Sequence, residues 1–220
     1  MTDSFTREGI RIVKIFVGPF IYAVGVVMTL QANLGYSPWY VFHQGLGRHL
    51  GITIGQASII VSAIMVLITV LMKENVGIGT LGGVILIGGF VDIILFGNWI
   101  PLMRNFVPGF LIMIGGLFVI GLGSFFYIGA GYGAGPRDSL MVVLTKHTGK
   151  PVGLCRGCIE GTALFIGWLM GGYAGVGTVI YVFGIGAAVQ IVFSILRFDV
   201  KKINQEPFYE TYLRLRDTLR

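Results

Sequence analysis

Apolar residues in this chain do not recur every third or fourth position, as they would on a helix with one wet face; they run on. Predominantly apolar stretches occupy about 10–31, 54–72, 76–97, 108–130, 153–171 and 175–197, each close to the roughly 20 residues that carry a helix across a bilayer core. Glycine, proline or charge separates them. In hydrocarbon, backbone N–H and C=O groups must be satisfied within the element, so such stretches are helices. The pattern predicts an all-α, polytopic membrane helix bundle with six spans. The first stretch is longer than a signal-peptide core, and no A-x-A-like cleavage site follows it, so it is read as a retained span.

Two shorter segments, 36–49 and 134–147, also read as helices. A helix of about 12 residues rises about 18 Å, short of the hydrocarbon core of about 30 Å. Both are therefore expected to be re-entrant or interfacial. Each follows a glycine-rich break and places proline (Pro38, Pro136) in its first turn, where the missing N–H costs nothing. Ser37 is the expected N-cap of the first. A break of about seven residues, 31–37, reaches about 20 Å when extended. The N-terminus of the short helix, with its unpaired N–H groups and positive dipole end, would then point into the membrane interior.

Shifted by 98 residues, the sequence matches itself without a gap. Gly18 falls on Gly116, Gly25 on Gly123, Gly35 on Gly133, Pro38 on Pro136, and Arg48-His49 on Lys146-His147. Gly77, Gly79 and Thr80 fall on Gly175, Gly177 and Thr178. Each copy holds three spans, an odd number, so the second is expected to enter the membrane with opposite polarity. Two such copies are related by a pseudo-two-fold axis in the membrane plane, an arrangement that recurs in secondary transporters. The chain divides into a first repeat with its N-terminal segment (1–98), a second repeat (99–197) and a C-terminal tail (198–220).

Composition agrees: 55% of the 220 residues are hydrophobic and 12% charged. The net charge of +6 is spread over the ends of apolar stretches, which is the positive-inside pattern and not a nucleic-acid stripe. With the N-terminus in the cytoplasm, only Arg48 and Arg104 of the basic residues fall outside. Both termini are thus expected on the cytoplasmic side of the membrane. Phe208, Tyr212, Leu215 and Leu219 recur at helical spacing, so the tail reads as an amphipathic cytoplasmic helix.

Candidate chemistry is sparse. Arg137 and Asp138 open the second short helix. Asp138 is either a carboxylate satisfying orphan N–H groups or part of a polar cavity with Arg137 as anion contact; Arg137 is either that contact or a snorkelling cation. The equivalent positions of the first copy are Trp39 and Tyr40, belt residues or pocket walls. Arg156 and Glu160 lie one turn apart in the fifth span and form a structural ion pair or a substrate site. Asp92 has no partner within its own helix in the third span and lies either at the pathway or apart from it; it and its repeat equivalent Gln190 are carried as candidate substrate contacts. His43 and Gln44, in the first short helix, are surface residues or ligand contacts, the surface role favoured; His49 and His147, at the short-helix ends, are read as capping carbonyls in preference to binding metal. Cys155 and Cys158 fall within the spacing Gly153, Gly157, Gly161, which reads as a small-residue stripe for close helix contact and not as a redox pair. No metal site, cofactor site or nucleophile–base set is visible, and no enzyme is expected.

The motifs L-G-x-x-P-W in the first half, G-x-G-P-R-D in the second (Gly133 to Asp138) and the late G-x-G-T resemble the YczE/YitT-like family of bacterial integral membrane proteins, from about residue 10 to 197. Tyr40 stands where that family often carries Asp. The resemblance implies a multi-span inner-membrane protein and suggests transport, without naming a substrate.

The leading expectation is a small secondary carrier or permease for a polar or anionic small molecule, its site between two inverted repeats near the midplane. Its partners would be the bilayer, that substrate and, optionally, a second copy of the chain. One rival is a scaffold or accessory subunit that docks a cytosolic partner through the tail. Another is the membrane substrate-binding component of a larger transporter.

Overall fold

The computed structural model describes residues 2–72, 77–132, 135–150 and 152–198. Its eight described helices are α1 (Thr2–Gln31), α2 (Pro38–Leu50), α3 (Ile54–Leu71), α4 (Ile78–Phe96), α5 (Phe106–Gly129), α6 (Pro136–Thr148), α7 (Val152–Leu169) and α8 (Val176–Ile195). The starts of α6, α7 and α8 fall 98 residues after those of α2, α3 and α4. The tail from 199 onward lies outside the described residues.

Helices α1, α3, α4, α5 and α8 are each long and apolar enough to cross a membrane. Helix α7 has the same 18 residues as α3, but its apolar part is shorter, Gly157–Leu169. It is the remaining helix of the six expected to span, and α2 and α6 are the two short helices. The outer surface is apolar: Phe183 is 81% exposed and Ile195 74%. Water would not tolerate that much contiguous hydrocarbon. Lipid does, and the protein is integral to a membrane.

Helices α1 and α5 form the central contact. A Cβ added at Gly18 would fall 2.7 Å from the amide nitrogen of Tyr127, and one at Gly25 2.6 Å from that of Ile120. Gly109, at the start of α5, meets the carbonyl of Ala32 past the end of α1. As numbering rises along one helix it falls along the other, so the two run antiparallel. Helices α1 and α5, matched by the 98-residue shift, thus point in opposite directions. Apolar side chains fill the space beside this crossing, with Ala23, Val26, Val27 and Leu30 of α1 against Val91 and Ile94 of α4 and Ile120 of α5.

The halves interleave: α2 lies against α7, and α3 against α6. The broken segments are closed reciprocally. Gly79 donates its N–H to the Tyr132 carbonyl at 2.7 Å, and Gly177 donates to the Leu34 carbonyl at 2.6 Å. Adding 98 to one bond's donor number gives the other's donor; the acceptors obey the same shift. Between them these bonds satisfy backbone that a break in the helix leaves open. Gly35 sits at φ +117°, a region that L side chains rarely adopt, and a Cβ there would fall 2.5 Å from the Gly175 nitrogen.

At one end of the bundle, the N–H of Tyr36 bonds the Tyr173 carbonyl at 3.0 Å. Gln44 accepts from the N–H of Tyr173 at 2.6 Å, and Arg48 donates to the Gly171 carbonyl. His49 lies 3.1 Å from the Gly45 carbonyl, at the end of its helix.

Two sequence expectations fail. Gly157 and Gly161 are exposed, and a Cβ on either would meet nothing within 4 Å among the described residues. The close contacts belong instead to Gly18, Gly25, Gly116 and Gly123 of α1 and α5, and to Gly167 of α7. Spacing alone cannot say which face of α7 is covered. His43 is fully buried, not at the surface, because both faces of the short helix α2 are enclosed by other helices.

Candidate functional site

The N-termini of the two short helices converge on one cavity of about 500 Å³. Helix α2 contributes Pro38, Trp39 and Tyr40, and α6 contributes Pro136 and Arg137. Proline sets the first turn of each without wasting a donor. Ser37 occupies the N-cap position of α2 with extended backbone, but its side chain makes no capping bond. Its hydroxyl is buried and without a hydrogen-bond partner among the described residues, which corrects the expectation of a side-chain cap.

Spans from both halves wall the cavity. Tyr22 comes from α1; Ser58 and Ser62 from α3; Val84 and Ile87 from α4; Ile120, Ser124 and Tyr127 from α5; Glu160 from α7; and Tyr181 and Ile185 from α8. Many of these pair off at the 98-residue shift: Tyr22 with Ile120, Pro38 with Pro136, Trp39 with Arg137, Ser62 with Glu160, and Ile87 with Ile185. The lining is therefore nearly symmetric in position and asymmetric in chemistry. One half offers an indole and a hydroxyl where the other offers a guanidinium and a carboxyl.

The guanidinium of Arg137 lies over the Trp39 ring, 5.1 Å from its centroid, and 6.0 Å from that of Tyr40. The ring faces attract the cation through their quadrupoles. Such stacking occupies the face of the guanidinium and leaves its in-plane N–H groups available. His43 backs the same rings, with centroids 6.4 Å from Trp39 and 5.1 Å from Tyr40.

Of the expected site residues, the structure brings Trp39, Tyr40, Arg137 and Glu160 to the cavity. It does not bring Asp92 or Gln190 there. The Asp92 carboxylate takes the Thr53 hydroxyl and, at 2.9 Å, the Gly55 N–H. It thus serves the N-terminus of α3, where a negative charge meets the positive dipole end, beside the reciprocal Thr53–Gln56 capping box. Gln190 is exposed on α8. The side chains of Asp138 and Arg156 lie outside the described residues. Cys155 is buried and Cys158 exposed, both free, and no group of three metal-ligating side chains occurs among the described residues.

Sequence reading missed the tyrosines Tyr22, Tyr127 and Tyr181 and the serines Ser58, Ser62 and Ser124. Within apolar stretches they look like ordinary span residues. Ser62 had a usable signal: it is the repeat equivalent of Glu160.

Comparison with known proteins agrees with the architecture. The model of a family of unknown function, DUF6198, matches residues 9–194. The uncharacterized membrane protein YczE of Bacillus subtilis (strain 168) is 41% identical over 167 residues, covering 75% of this chain and 77% of that protein. An uncharacterized protein of Haemophilus influenzae is 29% identical over 176 residues, covering 80% of each. The uncharacterized protein YyaS of Bacillus subtilis (strain 168) is 26% identical over 169 residues, covering 76% of this chain and 84% of that protein. No solved structure matches the chain. With its eight-helix order, its two proline-headed short helices and this match along nearly its whole length, the chain belongs to the DUF6198 family of YczE-like bacterial membrane proteins.

Proposed function

We propose that this membrane protein is a small secondary transporter or permease for a polar or anionic small molecule, and not an enzyme. It would work in the bacterial cytoplasmic membrane with both termini on the cytoplasmic side. The observation that carries this reading is the cavity of about 500 Å³ walled by both halves, with two short-helix N-termini at it and Arg137 over aromatic rings. Its size falls in the range of small-molecule sites. Broken helices whose positive ends face a site between inverted halves are how many carriers hold anions. A scaffold that merely docks a cytosolic partner has no need of such a cavity. The distribution of basic residues supports the orientation.

The test begins with ligand-induced thermal stabilisation of the purified protein across a panel of polar and anionic metabolites, since a ligand that binds only the folded state raises its stability. A stabilising compound is then followed into proteoliposomes as labelled counterflow. Accumulation is expected for the intact protein. It should be lost in Arg137→Lys and Asp138→Asn, with expression and unliganded stability kept. Full counterflow in both variants would make the pair structural and remove this site assignment. Binding without any flux would favour the substrate-binding component of a larger transporter.

A further inference from the structure

We propose that the cavity takes a small monocarboxylate with an apolar or aromatic body, a substrate class that rests on the transport reading above. The charge balance comes first. Arg137 meets aromatic faces at 5.1 and 6.0 Å, and no described contact spends its in-plane donors. A planar fork of N–H groups matches a carboxylate in two-pronged fashion. The carboxyl group in the same lining, Glu160, has an interaction of its own, and Arg137 is the cation among the described lining residues.

The short-helix N-termini add to that positive field. Helix α2 enters the cavity with its first-turn residues Pro38, Trp39 and Tyr40, and the side chain of its N-cap residue Ser37 makes no capping bond. The Ser37 hydroxyl, at the N-cap just before that turn, is buried and has no hydrogen-bond partner among the described residues. A carboxylate between Arg137 and this turn would meet donors from both halves of the chain.

The remainder of the lining offers a ligand aliphatic side chains beside the serine and tyrosine hydroxyls already named. Val84, Ile87, Ile120 and Ile185 also line the cavity. An inorganic phosphate would bring more charge than one guanidinium balances and leave these side chains without a partner. The volume of about 500 Å³ corresponds to on the order of fifteen water-sized groups at about 30 Å³ each. That leaves room for a ring or a short branched chain beyond the carboxylate.

The probes are phenylacetate, cyclohexanecarboxylate, acetate, phenylacetamide and phenethylamine, titrated into the detergent-solubilised full chain. Phenylacetate and cyclohexanecarboxylate are expected to bind at least tenfold more tightly than acetate, and the amide and amine not to bind. Arg137→Gln should abolish carboxylate binding. Arg137→Lys, which keeps the charge should the glutamine variant fail to fold, should weaken it at least tenfold without moving the unliganded melting temperature. Equal binding of the amide or the amine overturns the class. So does counterflow of some other compound by a protein that ignores both apolar carboxylates; in either case the transport reading stands. Carboxylate binding as expected with no counterflow has the opposite meaning: the class survives and the transport reading falls.

Discussion

His43 is fully buried, and neither ring nitrogen has a hydrogen-bond partner among the described residues. A buried polar atom left unpaired costs about 1–3 kcal/mol. The residue at the equivalent place in the other half is Met141, which has no such atoms. His43→Met is therefore expected to stabilise the protein by about 1 kcal/mol, read as a higher midpoint of thermal unfolding in detergent. A lower midpoint would mean that an imidazole nitrogen holds a group at this place. How legible such residues are depends on whether their neighbours are local. The Pro38 and Pro136 turns were readable because a proline acts on its own helix. Arg137 stood out because a charged pair, Arg137 and Asp138, directly after a glycine–proline break needs a reason. Asp92 was misread: its partners Thr53 and Gly55 belong to another helix, and nothing in the third span announces that α3 begins beside it.

The element scale turns on which glycine faces are covered. A Cβ at Gly123 would fall 2.5 Å from the Tyr22 nitrogen, so a side chain there must push α1 and α5 apart. Gly123→Val is expected to destabilise by about 1–3 kcal/mol or more, the usual cost of overfilling a close contact. Gly157→Leu should leave the melting temperature unchanged in detergent, because a Cβ there would meet nothing within 4 Å among the described residues. A large loss from the α7 substitution alone would reverse this assignment of faces. The existence, type and ends of the helices were readable, since span length and proline turns are properties of a segment. The partner of each helix was not. Glycines at positions 153, 157 and 161 have the same spacing whether they meet a neighbour or lipid, and the outcome depends on the distant chain that α7 does or does not meet.

At the scale of the whole molecule, the 98-residue shift was legible because glycine and proline kept one register. The antiparallel run of α1 and α5 agrees with the odd span count. Single cysteines placed at Arg48 and Lys146, in a chain whose own Cys155 and Cys158 have been replaced, are expected to label from opposite faces of the membrane. Labelling of both from one face would require parallel halves. What no local pattern could reveal is the interleaving, in which the Leu34 carbonyl waits for Gly177 and Tyr36 for Tyr173. That waiting has a time attached. The contact between Asn33 and Tyr173 joins residues 140 apart, and a ribosome delivering roughly 5–20 residues per second needs on the order of ten to thirty seconds to supply the second of them. During that interval the first half sits in the bilayer with an open, polar break. Nascent chains stalled before residue 173 should therefore be prey for membrane proteases or guests of an insertase. Chains stalled beyond residue 178 should be spared.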